Sequence, residues 1–543
     1  MNTDGACPNI PLFRFGGGQD LTTVTLAIIS GGLIMDNGEA ERTFIYRCQD
    51  RFLTYSWLCG WRSLFFVVNE QHAEIYRGAV GALSVRLRRA WHSFGLTQGF
   101  PLPEPLFVPL DPVCLQVQMT RDLAQSFRSI AQQQPFQRTV IATNQISPTY
   151  VHLLKQLQTA LLPYGISMSD LHEDKSAGDL ARLAMMMHDK ANYVALSERL
   201  GASVLAAHVP TIVLAENDIQ NIHTWDELVL PLDRSTGQAS SKSIYVKASR
   251  YSAGNLSVRI SRENFDVRWA AYQAEVAREL MSSAEDLETS VRELRAEIRM
   301  APCLRGVEFT DETLRCFKGV QTQLRQHPRF LVQPELRSAA GARARYNGIG
   351  ITYSIGAAGG LHIATYAHIF RDPDHKHFLG AYLADDVRSA INGDLFEALR
   401  QLCLEMARMG YRGPVNFDSR ISPDGRYRLI YDCNPRMSGV FPSMAIARAL
   451  RSQGCEIVSV LTLGYRGELR LADASGMFAR LTTAGILWSP VSSRGAIMLP
   501  NLCRDDGYDL HLVNIDLPVA QALLAPGGIL SEHFRGDVPA LYH

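Results

Sequence analysis

Neither sign of charge prevails in this sequence: 54 Lys and Arg balance 54 Asp and Glu over 543 residues. A global basic field for gripping nucleic acid is absent, and no nucleic-acid partner is expected. Cysteine is sparse and scattered. Its ten positions include no Cys-x-x-Cys and no clustered Cys/His spacing, which argues against a zinc ribbon or a dense disulfide framework and fits a reducing, cytoplasmic location. The first twenty residues lack the basic segment and apolar core of a signal peptide. The most apolar early stretch, residues 21–35, holds Thr, Ser and Gly and is too short and polar to span a bilayer. The chain therefore reads as soluble, without a membrane partner. Internal repeats and low-complexity tracts are also missing.

What is present is an ordinary globular composition, 46% hydrophobic and 20% charged. Disorder as the dominant state is excluded, and the length suggests about three domains. Residues 1–137 carry short strand-like runs such as Val24–Ile29 and Leu64–Val68, and form an N-terminal α/β domain of unknown role. From Arg138 onward strands and helices alternate. Thr139–Thr143 reads as a strand and Tyr150–Leu162 as a helix. A second helix begins at Lys190, behind Asp189 in an N-cap-like position, and stops at Gly201. Val209–Leu214 and Ser243–Val246 follow as strands. Such alternation predicts a parallel or mixed sheet with covering helices.

Trp269, Tyr272, Val276 and Leu280 fall on one helical face within 265–300, and Leu287, Val291, Leu294 and Ile298 on a second. Two short helices packed on a sheet account for them. Phe330–Gln333 is a strand leading to Pro334 and Glu335. Gly350–Ser354 and Leu361–Ile369 read as paired strands, and Leu395–Met409 as an amphipathic helix ended by Gly410.

The densest chemical signal lies in residues 410–439. Pro414–Asp418 and Tyr427–Asn434 form a hairpin around Ser422-Pro423-Asp424-Gly425. Alternation places Asp432 and Asn434 on one face, with Asp418 beside them across the ladder. Hard oxygen donors of this kind suit Mg²⁺, normally held by one or two carboxylates plus substrate phosphates. Arg436, two residues further, can reach a phosphate or acyl-phosphate oxygen. A nucleotide on such a cation needs positive charge on its phosphates. Lys190 and Lys247 are the upstream candidates. Lys247 stands before a Ser252-Ala253-Gly254-Asn255 loop whose backbone N–H groups can cover phosphates. Glu335, after its apolar strand, can hydrogen-bond a base or ribose.

In this order of residues the chain resembles the ATP-grasp superfamily of carboxylate–amine ligases over roughly 180–455. The segment Asn434 to Pro442, Asn-Pro-Arg-x-x-Gly-x-x-Pro, resembles the pheganomycin-type peptide ligases within it. The resemblance implies two α/β lobes clamping a nucleotide, with 138–180 as a preceding α/β segment, 181–455 as the catalytic domain and 456–543 as a completing C-terminal segment. It implies Lys190, Lys247, Ser252, Gly254, Asn255 and Glu335 on the nucleotide, and Asp418, Asp432 and Asn434 on the metal. Lys247 and Arg436 would be catalytic. The implied cofactors are ATP and Mg²⁺, with Mn²⁺ as a substitute. The implied substrates are a small-molecule carboxylate and an amine, amino acids foremost, joined with release of ADP. A homodimer is allowed for. The second acidic ligand is Asp432 where the family commonly has Glu, and the hinge reads Gln333-Pro334-Glu335 in place of a Glu-rich run. Non-catalytic ATP binding and carboxylase-type chemistry are the alternatives, the latter weakened by the lack of a Met-Lys-Met biotin-carrier motif.

His362 and His368, six apart on one strand, are expected on one face, while His375 and His377 fall in a polar loop; substrate contacts or surface positions account for all four. Cys433, between two proposed ligands, is expected to face away from them and pack.

Overall fold

A computed structural model describes residues 23–27, 65–96, 106–111, 116–117, 138–142, 189–236, 242–250, 256–281, 328–335, 348–355, 361–371, 378–384, 391–411, 413–421, 427–435, 438–463, 474–500, 508–525 and 527–530, with isolated positions between them. The expected helix at Tyr150–Leu162 lies outside these residues.

Among the described residues of the first 142 are five short strands: β1 (Thr23–Ala27), β2 (Phe65–Asn69), β3 (Leu106–Asp111), β4 (Gln116–Val117) and β5 (Arg138–Ala142). β1 pairs with β5 in parallel, and β2, β3 and β4 form a separate sheet. The helix Glu70–Ser93 buries Leu83, Leu87 and Trp91 in the same core as the largest sheet.

The remaining strands make two lobes. The smaller is a four-stranded sheet of β6 (Ile212–Ala215), β7 (Ser243–Ala248), β8 (Ser257–Ser261) and β9 (Arg329–Pro334), in the order β6-β9-β7-β8. All its ladders are antiparallel, where the alternation of strands and helices predicts a parallel or mixed sheet. The helical crossover does leave β6 and β7 running the same way, since both oppose β9. β9, arriving about 80 residues later, inserts between them. Alternation then sorts the faces. Ile244, Val246, Phe330 and Val332 face a core closed by the helix Phe265–Met281 through Trp269, Tyr272 and Val276. Tyr272 meets Phe330 edge-on at 6.3 Å, a geometry aromatic pairs favour.

The larger lobe is an eight-stranded sheet. Its strands are β10 (Gly348–Ile355), β11 (Leu361–Arg371), β12 (Phe378–Ala384), β13 (Gly413–Ile421), β14 (Tyr427–Asn434), β15 (Ser459–Leu463), β16 (Gly495–Pro500) and β17 (Tyr508–Val513). The order is β14-β13-β10-β11-β12-β15-β17-β16, again antiparallel. One face, with Ile351, Val415, Phe417 and Cys433, packs on Leu395, Leu399, Leu402 and Met406 of the helix Gly393–Arg408. Asn392 caps that helix, and Gly410, at φ +101°, leaves it in a conformation glycine adopts without strain. A bulge in the β10–β11 ladder near Thr352 interrupts alternation along β11. The expected common face of His362 and His368 rests on the His362 side chain, which lies outside the described residues. His368 stacks on Tyr382 at 6.4 Å.

The helix Lys190–Leu200 is wedged between the lobes. Ala191 and Val194 pack on Leu331 of the small sheet, while Tyr193 and Leu196 enter the core of the large one. Residues 207–209 then hydrogen-bond along the free edge of β14 through Ile430. No helix among the described residues is long and apolar enough to cross a membrane.

Candidate active site

The site forms where the face of the β10-β13-β14 ladder turned away from the helix-packed core meets the small lobe. Register places Asp418 opposite Asp432, and Asn416 opposite Asn434. Because strand side chains alternate, all four share the face away from the helix-packed core. Asn434 Nδ2 lies 3.3 Å from Asp432 Oδ2, and Asn416 Nδ2 donates to Asp418 Oδ1 at 2.7 Å. Cys433 faces the other way and packs in the large core, where burial pushes its thiol well above the usual range.

The interlobe helix and the small lobe contribute the cations. Lys190, first residue of its helix, donates Nζ to Asp432 Oδ2 at 2.9 Å. Lys247, on β7, lies 3.7 Å from Asp432 Oδ1 and donates to the Tyr431 carbonyl at 2.9 Å. That carbonyl is accessible because the β13–β14 register shifts after Asp418 and leaves Tyr431 as the extra residue of a bulge. Gln333 Nε2 reaches the same carbonyl at 3.2 Å and Thr211 Oγ1 at 2.9 Å. The strand bearing Lys247 runs to Ala248, so this lysine stands within the ladder and is held by it.

A buried carboxylate anchors the cationic side. Asp189 Oδ1 accepts from Ala191 N at 3.0 Å, capping the Lys190 helix. Its Oδ2 accepts from Arg250 Nε at 2.9 Å and Arg329 Nη2 at 2.5 Å. Burial opposes its charge, but the hydrogen bond and charge of Arg329, with those of Arg250, outweigh burial and hold the carboxyl below its ordinary value. Lys190 N also bonds to Ser249 O, and Ser249 N to Arg329 O. The start of the helix is thereby tied to the end of β7 and the beginning of β9.

The structure thus brings Lys190, Lys247, Asp418, Asp432 and Asn434 together. Glu335 follows β9 at the edge of its ladder and pairs with Arg259 through two bonds of 2.7 and 2.9 Å. Ser252, Gly254, Asn255 and Arg436 lie outside the described residues, as do His375 and His377. Asn416, Arg250 and Arg329 were not among the expected residues, and Asp189 was expected only as a helix cap, which it is. Asn416 was findable, since it sits two positions before Asp418 on the same strand face; the others join through contacts 61 and 140 residues long.

Among the described residues no three His, Cys, Asp or Glu side chains gather as a metal cage. The donors offered are two register-paired carboxylates and amide oxygens, a set that suits a hard divalent cation completing its shell with phosphate oxygens and water.

No family model matches the sequence, and no curated protein matches it significantly. Solved structures similar to the chain include an L-amino acid ligase from Bacillus licheniformis, at 10% identity and TM-score 0.42, covering 95% of this chain and 98% of that one. Another is N5-carboxyaminoimidazole synthetase from Staphylococcus aureus complexed with ADP, at 10% identity and TM-score 0.41, covering 94% and 98%. Biotin carboxylase from Campylobacter jejuni is similar at 9% identity and TM-score 0.42, covering 94% and 91%. Likeness at this level assigns no chemistry to this chain, which has to come from its own residues.

Proposed function

We propose that this protein is an ATP-grasp ligase that activates a carboxylate with ATP and couples it to an amine, forming an amide or peptide bond between small molecules, amino acids foremost. One observation carries the reading: Lys190, from the helix between the lobes, and Lys247, from the small sheet, converge on Asp432, whose register partner Asp418 supplies a second carboxylate. Two ammonium groups gathered on paired carboxylates are the charges that a cleft for a metal nucleotide requires.

In this reading Lys190 and Lys247 bind phosphate oxygens and neutralise charge as it redistributes. Asp418, Asp432 and Asn434 would hold Mg²⁺, or Mn²⁺ in its place. When bound, the ion would offset charge on the ATP phosphates. Ser252, Gly254 and Asn255 belong to the segment assigned to cover the phosphates, and Arg436 to the reacting phosphoryl group. Glu335 is assigned to the nucleoside, a role it would share with its pairing to Arg259. A carboxylate oxygen of the first substrate attacks the γ-phosphorus, and the bond to the ADP oxygen breaks. The amine of the second substrate attacks the acyl carbon, phosphate leaves with the electron pair of the C–O bond, and the amine proton passes to solvent or phosphate. The cleft serves the first product by excluding water.

Mass spectrometry after incubation with ATP, Mg²⁺ and a pooled set of amino acids tests the reading, alongside ADP release. Amide products with stoichiometric ADP support it. Nucleotide binding without ADP from any carboxylate and amine pair would identify a binding protein instead, and bicarbonate-dependent ADP release a carboxylase-type enzyme.

A further inference from the structure

Asp418 is the end of a chain of polar side chains. Asn416 Nδ2 donates to its Oδ1 at 2.7 Å. Thr352 on β10, the register partner of Asn416, donates Oγ1–H to Asn416 Oδ1 at 3.0 Å. Thr352 Oγ1 in turn lies 3.2 Å from Ser438 Oγ. Thr352, Asn416 and Asp418 are only 1%, 3% and 5% exposed, so water does not substitute freely for these partners.

Proton counting sets the direction. An ionised carboxylate only accepts, so the Asn416 nitrogen faces Asp418 and its oxygen faces Thr352. The single Thr352 proton goes to that oxygen, which leaves Thr352 as acceptor and Ser438 as donor. Every bond therefore runs the same way, from Ser438 to Thr352 to Asn416 to Asp418, and successive bonds polarise one another. Gly350, opposite Asp418 on β10, leaves room for the arrangement. A Cβ there would stand 3.2 Å from Asn416 Oδ1 and 3.2 Å from Ile369 Cδ1.

We infer that Ser438, Thr352 and Asn416 are positioning residues that fix the orientation of the Asp418 carboxylate for a divalent cation, and that they link it to the segment after Asn434 that also contains Arg436. The inference rests on the ligase reading. Partners that orient a metal-binding carboxylate are worth about 10–100-fold in metal affinity. A merely structural role would lower stability without singling out the cation.

The test measures Mn²⁺ affinity by electron paramagnetic resonance of the free ion, on the full chain with ADP, and ADP affinity in EDTA by calorimetry. Thr352→Val keeps the shape and removes the hydroxyl. It should weaken Mn²⁺ binding about tenfold or more while metal-free ADP affinity stays unchanged. Thr352→Ser should restore Mn²⁺ binding to within about twofold. Ser438→Ala, at the less buried end, should weaken it about threefold, and it decides the matter should Thr352→Val fail to fold. Wild-type Mn²⁺ affinity in Thr352→Val and Ser438→Ala overturns the relay and leaves the ligase reading intact. A wild-type protein that binds no Mn²⁺ with ADP overturns the ligase reading, and the relay with it.

Discussion

Lys190 Nζ lies 2.9 Å from Asp432 Oδ2, so the first side chain of an interlobe helix closes on a carboxylate 242 residues later. Without a nucleotide, an ammonium group assigned to phosphate neutralises a carboxylate assigned to the cation. In the proposed reading ligand binding would exchange partners: phosphates would take the lysines and the cation Asp432, with the free energy of the internal pair subtracted from both.

Asp432→Asn separates these two effects. Metal-dependent ADP formation should fall by about 10²-fold or more, as expected when a group that organises transition-state charge is lost. Metal-free ADP should bind about tenfold tighter or more, because a hydrogen-bonded charge pair worth roughly 1.5–3 kcal/mol no longer competes for Lys190. Calorimetry in EDTA reads the second effect. Unchanged or weaker metal-free binding would remove the exchange from the account.

Lys247→Met tests the other cation. The stem of Lys247 lies beside Tyr431, with Nζ 5.6 Å from the ring centroid. Methionine keeps an unbranched apolar stem there and deletes the charge, while Gln333 Nε2 still donates to the Tyr431 carbonyl that Lys247 gives up. Turnover should drop by about 10²-fold, with the thermal midpoint shifted by no more than about 4 °C. Normal turnover would take Lys247 off the phosphates.

Local periodicity accounts for what was legible. A hairpin with a short turn and a period of two brings Asp418, Asp432 and Asn434 to one face, and any sequence with that spacing announces it. The same alternation reaches Asn416, although an amide two residues before a carboxylate has no motif to mark it. The β6-β9-β7-β8 order was not legible, because nothing local says that a strand about 80 residues later will insert between β6 and β7. Nor was the bulge at Tyr431, which turns a backbone carbonyl toward Lys247 and Gln333. The Asp189 hub depends on Arg250 and Arg329 reaching it through tertiary contacts alone.

His208 gives a pH prediction. Its Nε2 lies 2.7 Å from Ser197 Oγ, next to the edge of β14, and burial pushes its imidazole down to about 4 from an ordinary 6.5. Between pH 4 and 6.5 the unfolded chain binds the extra proton and the folded chain does not. Stability therefore rises with pH through that window and levels off above it. The shift corresponds to roughly 3 kcal/mol. Thermal midpoints from about pH 4.5 to 7.5 should climb less steeply in His208→Gln than in the wild type; parallel curves would place the protonation elsewhere.

Asp189→Asn should be the most disruptive single change in the small lobe. Its carboxylate is fully buried, and the substitution keeps the oxygen that caps the helix while removing the charge shared by Arg250 and Arg329. Deleting one side of a buried ion network typically costs about 3–5 kcal/mol, because the remaining charges stay desolvated. Arg329 is 30% exposed, so about 3 kcal/mol is the better expectation. The sign with pH follows from the depressed carboxyl. The folded state gives up the Asp189 proton more readily than the unfolded chain, whose carboxyl titrates near 3.8. The advantage over Asp189→Asn is thus complete above that value and shrinks as the pH falls through the lower folded value. Urea unfolding at about pH 7 and about pH 3 measures it. A gap between the two proteins that is undiminished at the lower pH would mean that packing, not the charge network, ties the Lys190 helix to the end of β7.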